Sequence, residues 1–180
     1  MNRAALLRAV QSRVARIAVG ASAVRGRGNT GAVAAARKHL RHVDLARFGA
    51  KPAAFRRALD RETKALLAAL PKGARRWGIA RKLLNIFLRD CLYTTYLARD
   101  FNLARAEAAF EIPLDSITAL NVKRVVGRGR LPHWPGVKHV TPPLNAQFQR
   151  AAAAEAAKEG IARVHMDAVW WSQSRDKDAV

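Results

Sequence analysis

The stretch ALLAALPKGARRWGIARKLLNIFLRDCLYTTYL, residues 65–97, decides the fold. Its apolar residues recur at intervals of three and four, which is typical of helices that pack one face on a core. Pro71 and Gly73 interrupt the pattern, because proline lacks a backbone donor and glycine favours turns. The sequence therefore predicts a helix, a short hairpin and a long second helix that runs from Trp77 toward Arg99.

Helical periodicity extends over most of the remaining chain, and alternating runs of β-branched residues are scarce. Asp115 or Ser116 is well placed to cap a further helix, because short polar side chains accept hydrogen bonds from the first turn. We therefore expect an all-α protein whose residues 1–180 form one compact helical domain, or two helical subdomains with a cleft. In the first helix, the face expected to dock on the core comprises Leu6, Leu7, Val10, Val14 and Ile17. The other expected helices cover residues 32–48, 52–70, 104–110, 116–126, 144–160 and 161–171.

The charge of the chain is strongly positive, with 33 lysines and arginines against 13 acidic residues and a formal net charge of +20. Such a surplus favours binding to a polyanion. Cys91 is the only cysteine, which excludes an internal disulfide and a cysteine-built zinc or iron–sulfur site. The five histidines lack the spacing of a metal site, so no metal or other cofactor is expected.

The compartment follows from the same composition. A lone cysteine in an apolar run fits a reducing, intracellular environment, and no stretch approaches the roughly 18 apolar residues of a membrane span. We expect a cytoplasmic, nucleoid-associated prokaryotic monomer that does not contact a membrane. The alternative is an organellar protein with a cleaved presequence, because the arginine-bearing first 20 residues also resemble a mitochondrial transit peptide.

One polar line crosses the otherwise apolar second helix, through Lys82, Asn85 and Arg89. A solvated stripe is the simplest explanation of such a line. Lys82, however, follows a basic hairpin and precedes an isolated carboxylate, Asp115, in the segment IPLDSITAL. A lysine amine can attack an electron-poor sugar carbon, and a carboxylate can take its proton or stabilise positive charge on the sugar.

The hairpin at about 66–98, the helix that continues from Lys82 and the motif at 112–120 together resemble the helix-hairpin-helix DNA glycosylase superfamily. The arrangement is most similar to the archaeal 8-oxoguanine DNA glycosylase branch. The resemblance implies that the hairpin grips the phosphate backbone, that Lys82 displaces the base and that Asp115 assists. Because the hairpin LPKGARRWGIARK is longer and more basic than the family's, Lys72 is the alternative nucleophile.

Two further groups of residues are candidates for binding DNA. Cations and glycines at turns are typical phosphate contacts, and an enzyme that extrudes a base needs a wedge, a stacking platform and polar groups at the base edge. The expected DNA contacts are Arg25, Arg27, Lys72, Gly73, Arg75, Arg76, Arg81, Lys123 and Arg124, with Arg128 and Arg130 beside them. The candidates for the base pocket or wedge are Asn29, Trp77, Asn85, Trp134 and Gln147.

These observations predict a DNA glycosylase that acts on double-stranded DNA with an extruded base and uses Lys82 for an accompanying abasic-site lyase activity. Two substrates stay open. One is an oxidised purine such as 8-oxoguanine. The other is a hypermodified phage cytosine such as glucosylated hydroxymethylcytosine, removed in anti-phage defence. The alternative function is a noncatalytic DNA- or RNA-binding protein whose hairpin only contacts the backbone.

Overall fold

The computed structural model describes residues 2–20, 23 and 31–170. Within these ranges the chain is helical and contains no strand, which confirms the expected all-α class. Short 3-10 turns connect the main helices. The α-helices are α1 (Arg3–Ala18), α2 (Ala32–Leu40), α3 (Pro52–Ala69), α4 (Trp77–Tyr93), α5 (Thr95–Asp100), α6 (Ser116–Val126) and α7 (Pro142–Lys158), and residues 166–170 are also helical.

Local signals explain where several helices begin. The side chain of Asn2 accepts a hydrogen bond from the backbone of the first turn of α1, and Thr141 does the same for α7. Asp115 caps α6 by accepting a hydrogen bond from the Thr118 amide at 3.0 Å, as predicted. Pro52 occupies the first turn of α3, where its missing N–H costs nothing.

Several predictions differ from the structure. The segment predicted as a helix over 104–110 is the 3-10 helix Leu103–Ala109, and the one predicted over 161–171 begins with the 3-10 turn Arg163–His165. The long helix expected to reach Arg99 ends at Tyr93, because Thr94 adopts an extended backbone and its hydroxyl donates to the carbonyl of Asp90 at 2.7 Å. The helix expected over 32–48 ends at Leu40, and a separate 3-10 turn follows. Ile17 was expected on the buried face of α1, but its side chain is 63 % exposed.

The buried apolar side chains form two clusters. The larger cluster is built mainly from α1 to α5 and centres on phenylalanines and leucines such as Phe55 and Phe87. The smaller cluster lies under α6 and α7 and includes Phe148 and Trp170. Helix α4 contacts both α3 and α7, so its polar side chains can reach elements of both clusters.

The hairpin stretch is a pair of packed helices, α3 and α4, joined by residues 70–76 with a 3-10 turn at Lys72–Ala74. Its function in gripping DNA stays a prediction. Within the described ranges, no helix has the length and apolar character needed to cross a membrane.

Candidate functional site

The polar line predicted on α4 faces the protein interior instead of solvent. Lys82 and Asn85 are buried, and Arg89 is half-buried. All three side chains contact acidic residues that lie after α5 in the chain. The polar line is therefore not a solvated stripe. Its side chains connect α4, which belongs to the larger apolar cluster, to segments that follow α5 in the chain.

The side chains of Lys82 and Asp115 lie close together, between α4 and the start of α6. The Lys82 Nζ atom lies 3.4 Å from the Asp115 Oδ2 atom, and the two side chains are 10 % and 28 % exposed. The same Nζ atom donates a hydrogen bond to the carbonyl of Ala23 at 3.3 Å. Both distances are long for charge-assisted contacts, so the ammonium group is held near its carboxylate without a short hydrogen bond. The other Asp115 oxygen, Oδ1, caps α6.

Arg81, the residue before Lys82, enters a different and much more complete network. Its guanidinium forms a two-pronged pair with Glu111 at 2.8 Å and also donates to Asp60 and Thr63 at 2.9 Å. Asn85 and Asn145 each donate to the Glu111 Oε2 atom at 3.1 Å. These contacts satisfy a carboxylate that the fold has otherwise removed from water.

The electrostatics of Glu111 follow from this network. Burial acts to raise the pKa of its carboxyl group. The hydrogen bonds and charge of Arg81, together with the amides of Asn145 and Asn85, outweigh burial and hold the pKa of Glu111 below its ordinary value. Glu111 is therefore an ionised anchor for α4 and α7, and it has little capacity to exchange protons near neutral pH.

A second buried carboxylate, Asp167 in the helical residues 166–170, packs against the carboxyl-terminal part of α4. Asp167 pairs with Arg89 and accepts a hydrogen bond from the Thr118 hydroxyl at 2.8 Å. Burial raises the pKa of Asp167, and the charge of Arg89 offsets only part of this effect. The pair links the middle of α4 to α6 and to the last described helical residues.

A narrow crevice opens beside Lys82. It is so narrow that no part of it admits a water molecule. Trp77, Asn85 and Asn145 line it together with Lys82. Gly78 sets its width, because a Cβ atom there would lie 2.1 Å from the carbonyl oxygen of Val137. The missing side chain thus lets the segment 137–140 close against α4.

The predicted base-pocket residues separate into three groups. Trp77 and Asn85 line the crevice, and Arg81 stacks over the Trp77 ring at 5.4 Å. Trp134 is half-buried against Phe148, and its indole N–H donates to Ser116 at 3.2 Å, next to Asp115. Gln147 lies on the exposed face of α7. Asn29 lies outside the described residues.

The predicted phosphate contacts are also divided. Arg81 does not fit this role, because its guanidinium is buried and engaged by two carboxylates. Arg25 and Arg27 lie outside the described residues. The hairpin members Lys72, Gly73, Arg75 and Arg76 are exposed, as are Arg124, Arg128 and Arg130, and Lys123 is half-buried and donates to the carbonyl of Pro132 at 3.1 Å.

Sequence reasoning missed Glu111, its partner Asn145, and Asp60, which pairs with Arg81. One signal was available for Glu111, because a lone carboxylate within the run FEIPL is unusual unless it is paired. No comparable signal marked the other two, whose roles arise only from tertiary contacts. In the part of the chain that the structure describes, no group of three or more metal-ligating side chains converges.

Comparison of the chain with protein-family models, curated protein sequences and solved structures gave no match.

Proposed function

We propose that this protein is a DNA glycosylase in which Lys82 is the nucleophile and Asp115 the assisting carboxylate. The observation that carries the proposal is the 3.4 Å separation of the Lys82 and Asp115 side chains, which come from α4 and from the cap of α6. A lysine amine can act as the nucleophile that displaces a base from a sugar carbon, and a carboxylate can accept its proton and stabilise positive charge on the sugar.

The proposed reaction starts with the neutral Lys82 amine, after Asp115 has taken its proton. The amine attacks the C1′ atom of the nucleotide, the bond from C1′ to the base breaks, and its electron pair leaves with the base, to which Asp115 gives the proton it took from Lys82. The C1′–nitrogen linkage then loses a proton to the Asp115 carboxylate, and Asp115 passes this proton to the sugar-ring oxygen as the bond from that oxygen to C1′ breaks. The product is a Schiff base on Lys82, which permits strand cleavage by elimination.

The cap role of Asp115 fits this chemistry. The hydrogen bond from the Thr118 amide holds the Oδ1 atom, so the carboxylate is oriented by the backbone while Oδ2 faces Lys82. The amino-terminal end of α6 also favours negative charge on Asp115. A carboxylate held in this way can stabilise positive charge that develops on the sugar.

The substrate must open the site, because the crevice is too narrow for a base. The segment 137–140, which Gly78 allows to pack closely on α4, is the wall whose displacement would widen it. The charge surplus of the chain supports a nucleic-acid substrate. We propose double-stranded DNA with an extruded base, either an oxidised purine or a hypermodified phage cytosine.

The second candidate function is noncatalytic binding of DNA or RNA, and the closed crevice favours it. In that case the Lys82–Asp115 pair would only tie α4 to α6. Both candidates predict binding that weakens steeply with salt, so affinity measurements do not separate them.

Chemistry separates the two functions. The full chain is incubated with duplexes that carry 8-oxoguanine, glucosylated hydroxymethylcytosine or an abasic site, and free base and borohydride-trapped covalent adduct are measured. We expect release of one base and an adduct with the abasic duplex. If no modified base is released and no adduct forms, the protein is not a glycosylase or lyase of the proposed kind.

Two variants assign the chemistry to the site. Lys82→Met keeps the apolar stem of the side chain and removes the amine, so base release and adduct should both be lost. Lys72→Met removes the exposed alternative amine at the hairpin and should leave both signals within about threefold of the parent. The reverse pattern would move the nucleophile to Lys72.

A further inference from the structure

A basic groove runs between α1 and α2, away from the Lys82 crevice. It has a volume of about 540 Å³ and shares no lining residue with that crevice. None of the sequence-predicted phosphate contacts lines it. Its cations are Arg13 and Arg16 on α1, Arg37 and Lys38 on α2, and Arg41, which directly follows α2.

The two helices contribute matching faces to this groove. The lining positions on α1 are 9, 12, 13 and 16. Those contributed by α2 and its C-cap residue are 34, 37, 38 and 41, so the two faces have the same spacing over two turns. Small side chains at Ala9, Ser12 and Ala34 leave the space between the cations open. At 1.5 Å rise per residue, each face is about 10 Å long.

The acidic residues that the structure describes are not engaged with the cations of the groove. Among the described residues, no carboxylate forms an ion pair with any of the five. Asp44, which follows α2 in the chain, pairs with Arg47, and Glu62 on α3 pairs with His39 on α2. Five like charges repel one another, so an external anion would stabilise this arrangement.

The groove is held in shape by the fold. The buried side chain of Gln11 donates to the carbonyls of Leu40 and Val43 at 3.2 and 2.8 Å, which fixes α1 against the end of α2. Arg37 donates from its Nε atom to the carbonyl of Val19 at 2.8 Å. These contacts order the two helix faces before any ligand binds, and such preorganisation lowers the cost of binding.

We infer that the α1–α2 groove binds the phosphodiester backbone of a nucleic acid. A strand of duplex DNA presents a charge about every 3.4 Å along the axis, so about three phosphates fit along a 10 Å face. A lipid surface is less well matched, because helices that lie on membranes insert a broad apolar face, and the apolar lining here consists of two alanines. The groove is a second backbone contact that does not depend on the Lys82 chemistry.

A matched pair of triple variants tests this site. Arg13→Gln, Lys38→Gln and Arg41→Gln remove three exposed groove cations. Arg57→Gln, Arg61→Gln and Lys64→Gln remove the same residue types from an exposed face of α3, where no described residue forms an ion pair or hydrogen bond with these side chains. Because both triples lower the net charge equally, any difference between them reports position. Thermal melts verify that both remain folded.

Binding of an unmodified 20-base-pair duplex is measured by fluorescence anisotropy between 50 and 200 mM salt. We expect the groove triple to bind at least tenfold more weakly than the α3 triple at 100 mM salt. Because each phosphate contact contributes about 0.9 to the slope of log K against log salt, the slope should fall by about two to three. Equal affinity and slope for the two triples would overturn the inference.

Vesicles of phosphatidylserine and phosphatidylcholine distinguish the other anionic surface. If the groove triple loses vesicle binding and keeps duplex binding, the groove recognises lipid and the inference is wrong. Borohydride trapping on an abasic duplex is measured in parallel, because an adduct that persists in the groove triple at saturating protein separates this site from the proposed nucleophile.

Discussion

Arg81 and Lys82 are neighbours on α4, and both are basic and buried, yet their surroundings differ. Arg81 donates to two carboxylates and a hydroxyl at distances of 2.8 to 2.9 Å, whereas Lys82 has a carbonyl at 3.3 Å and a carboxylate at 3.4 Å. Glu111 is enclosed by donors, while Asp115 stays 28 % exposed. The Arg81–Glu111 network is fully hydrogen-bonded and stabilises the fold. The Lys82–Asp115 pair is held less tightly, as the proposed reaction requires.

From this contrast we expect Arg81→Met to cause the largest loss of stability. Removing the guanidinium leaves the buried Glu111 carboxylate without its counter-ion, which costs about 3–5 kcal/mol of unfolding free energy. Lys82→Met should cost less than about 1 kcal/mol, because water can reach Asp115. Urea denaturation of both variants measures the difference. Equal losses would show that the two sites are energetically alike.

Gly78→Ala should have the next largest effect. The added methyl group would meet the carbonyl oxygen of Val137 at 2.1 Å and the Cβ atom of Val140 at 2.8 Å, so the backbone must shift. Overpacking costs about 1–3 kcal/mol, which exceeds the gain of about 1 kcal/mol from the better helix propensity of alanine. A calorimetric melting temperature equal to or above that of the parent would contradict the close packing of segment 137–140 on α4.

The pH dependence of stability should report Glu111. Its pKa is lower in the folded protein than the ordinary value of 4.5, so the stabilisation is fully present above about pH 4.5 and is lost as the pH falls through the folded value. Asp167 has the opposite sign, because its raised pKa makes protonation favour the folded state. Urea midpoints measured from pH 6 to pH 3 should therefore fall less in Glu111→Gln than in the parent. Parallel curves would refute the assignment.

Asp115→Asn should have the smallest effect on stability. Asparagine caps helices about as well as aspartate, so the Thr118 amide keeps an acceptor. Lys82 loses the charge of its partner, but that pair is 3.4 Å apart and partly exposed, so unfolding free energy should fall by less than about 1 kcal/mol. Trapping of an abasic duplex should nevertheless fall at least tenfold, since the proton acceptor is lost. Thr141→Asn replaces the cap of α7 and serves as the matched control, which should trap normally.

Hydrophobic periodicity predicted most of the helices, because apolar residues within α3, α4 and α7 recur at intervals of three and four. It missed the break at Thr94, since a side-chain hydrogen bond to Asp90 ends the helix without proline or glycine. It also placed Ile17 on the core, but the buried face of α1 comprises Gln11, Val14, Ala15 and Ala18, and Ile17 lies outside that face.

The sequence predicted the site residues whose own chemistry suggests a reaction, and it missed those whose role depends on tertiary contacts. Lys82 and Asp115 were paired in advance, and the structure brings their side chains together. Arg81 was predicted to contact phosphate, because a basic side chain in the sequence does not show whether it is buried. Its structural role is visible only from its tertiary contact with Glu111, which Asn145 also contacts. The α1–α2 groove was missed for the same reason, as its cations converge from two helices.

The most direct test of the central claim is the position of the covalent adduct. The parent protein is trapped with borohydride on an abasic duplex and digested, and mass spectrometry locates the modified lysine. The Lys82–Asp115 geometry predicts modification of Lys82. An adduct on Lys72 or another lysine, or no adduct at all, would contradict the account.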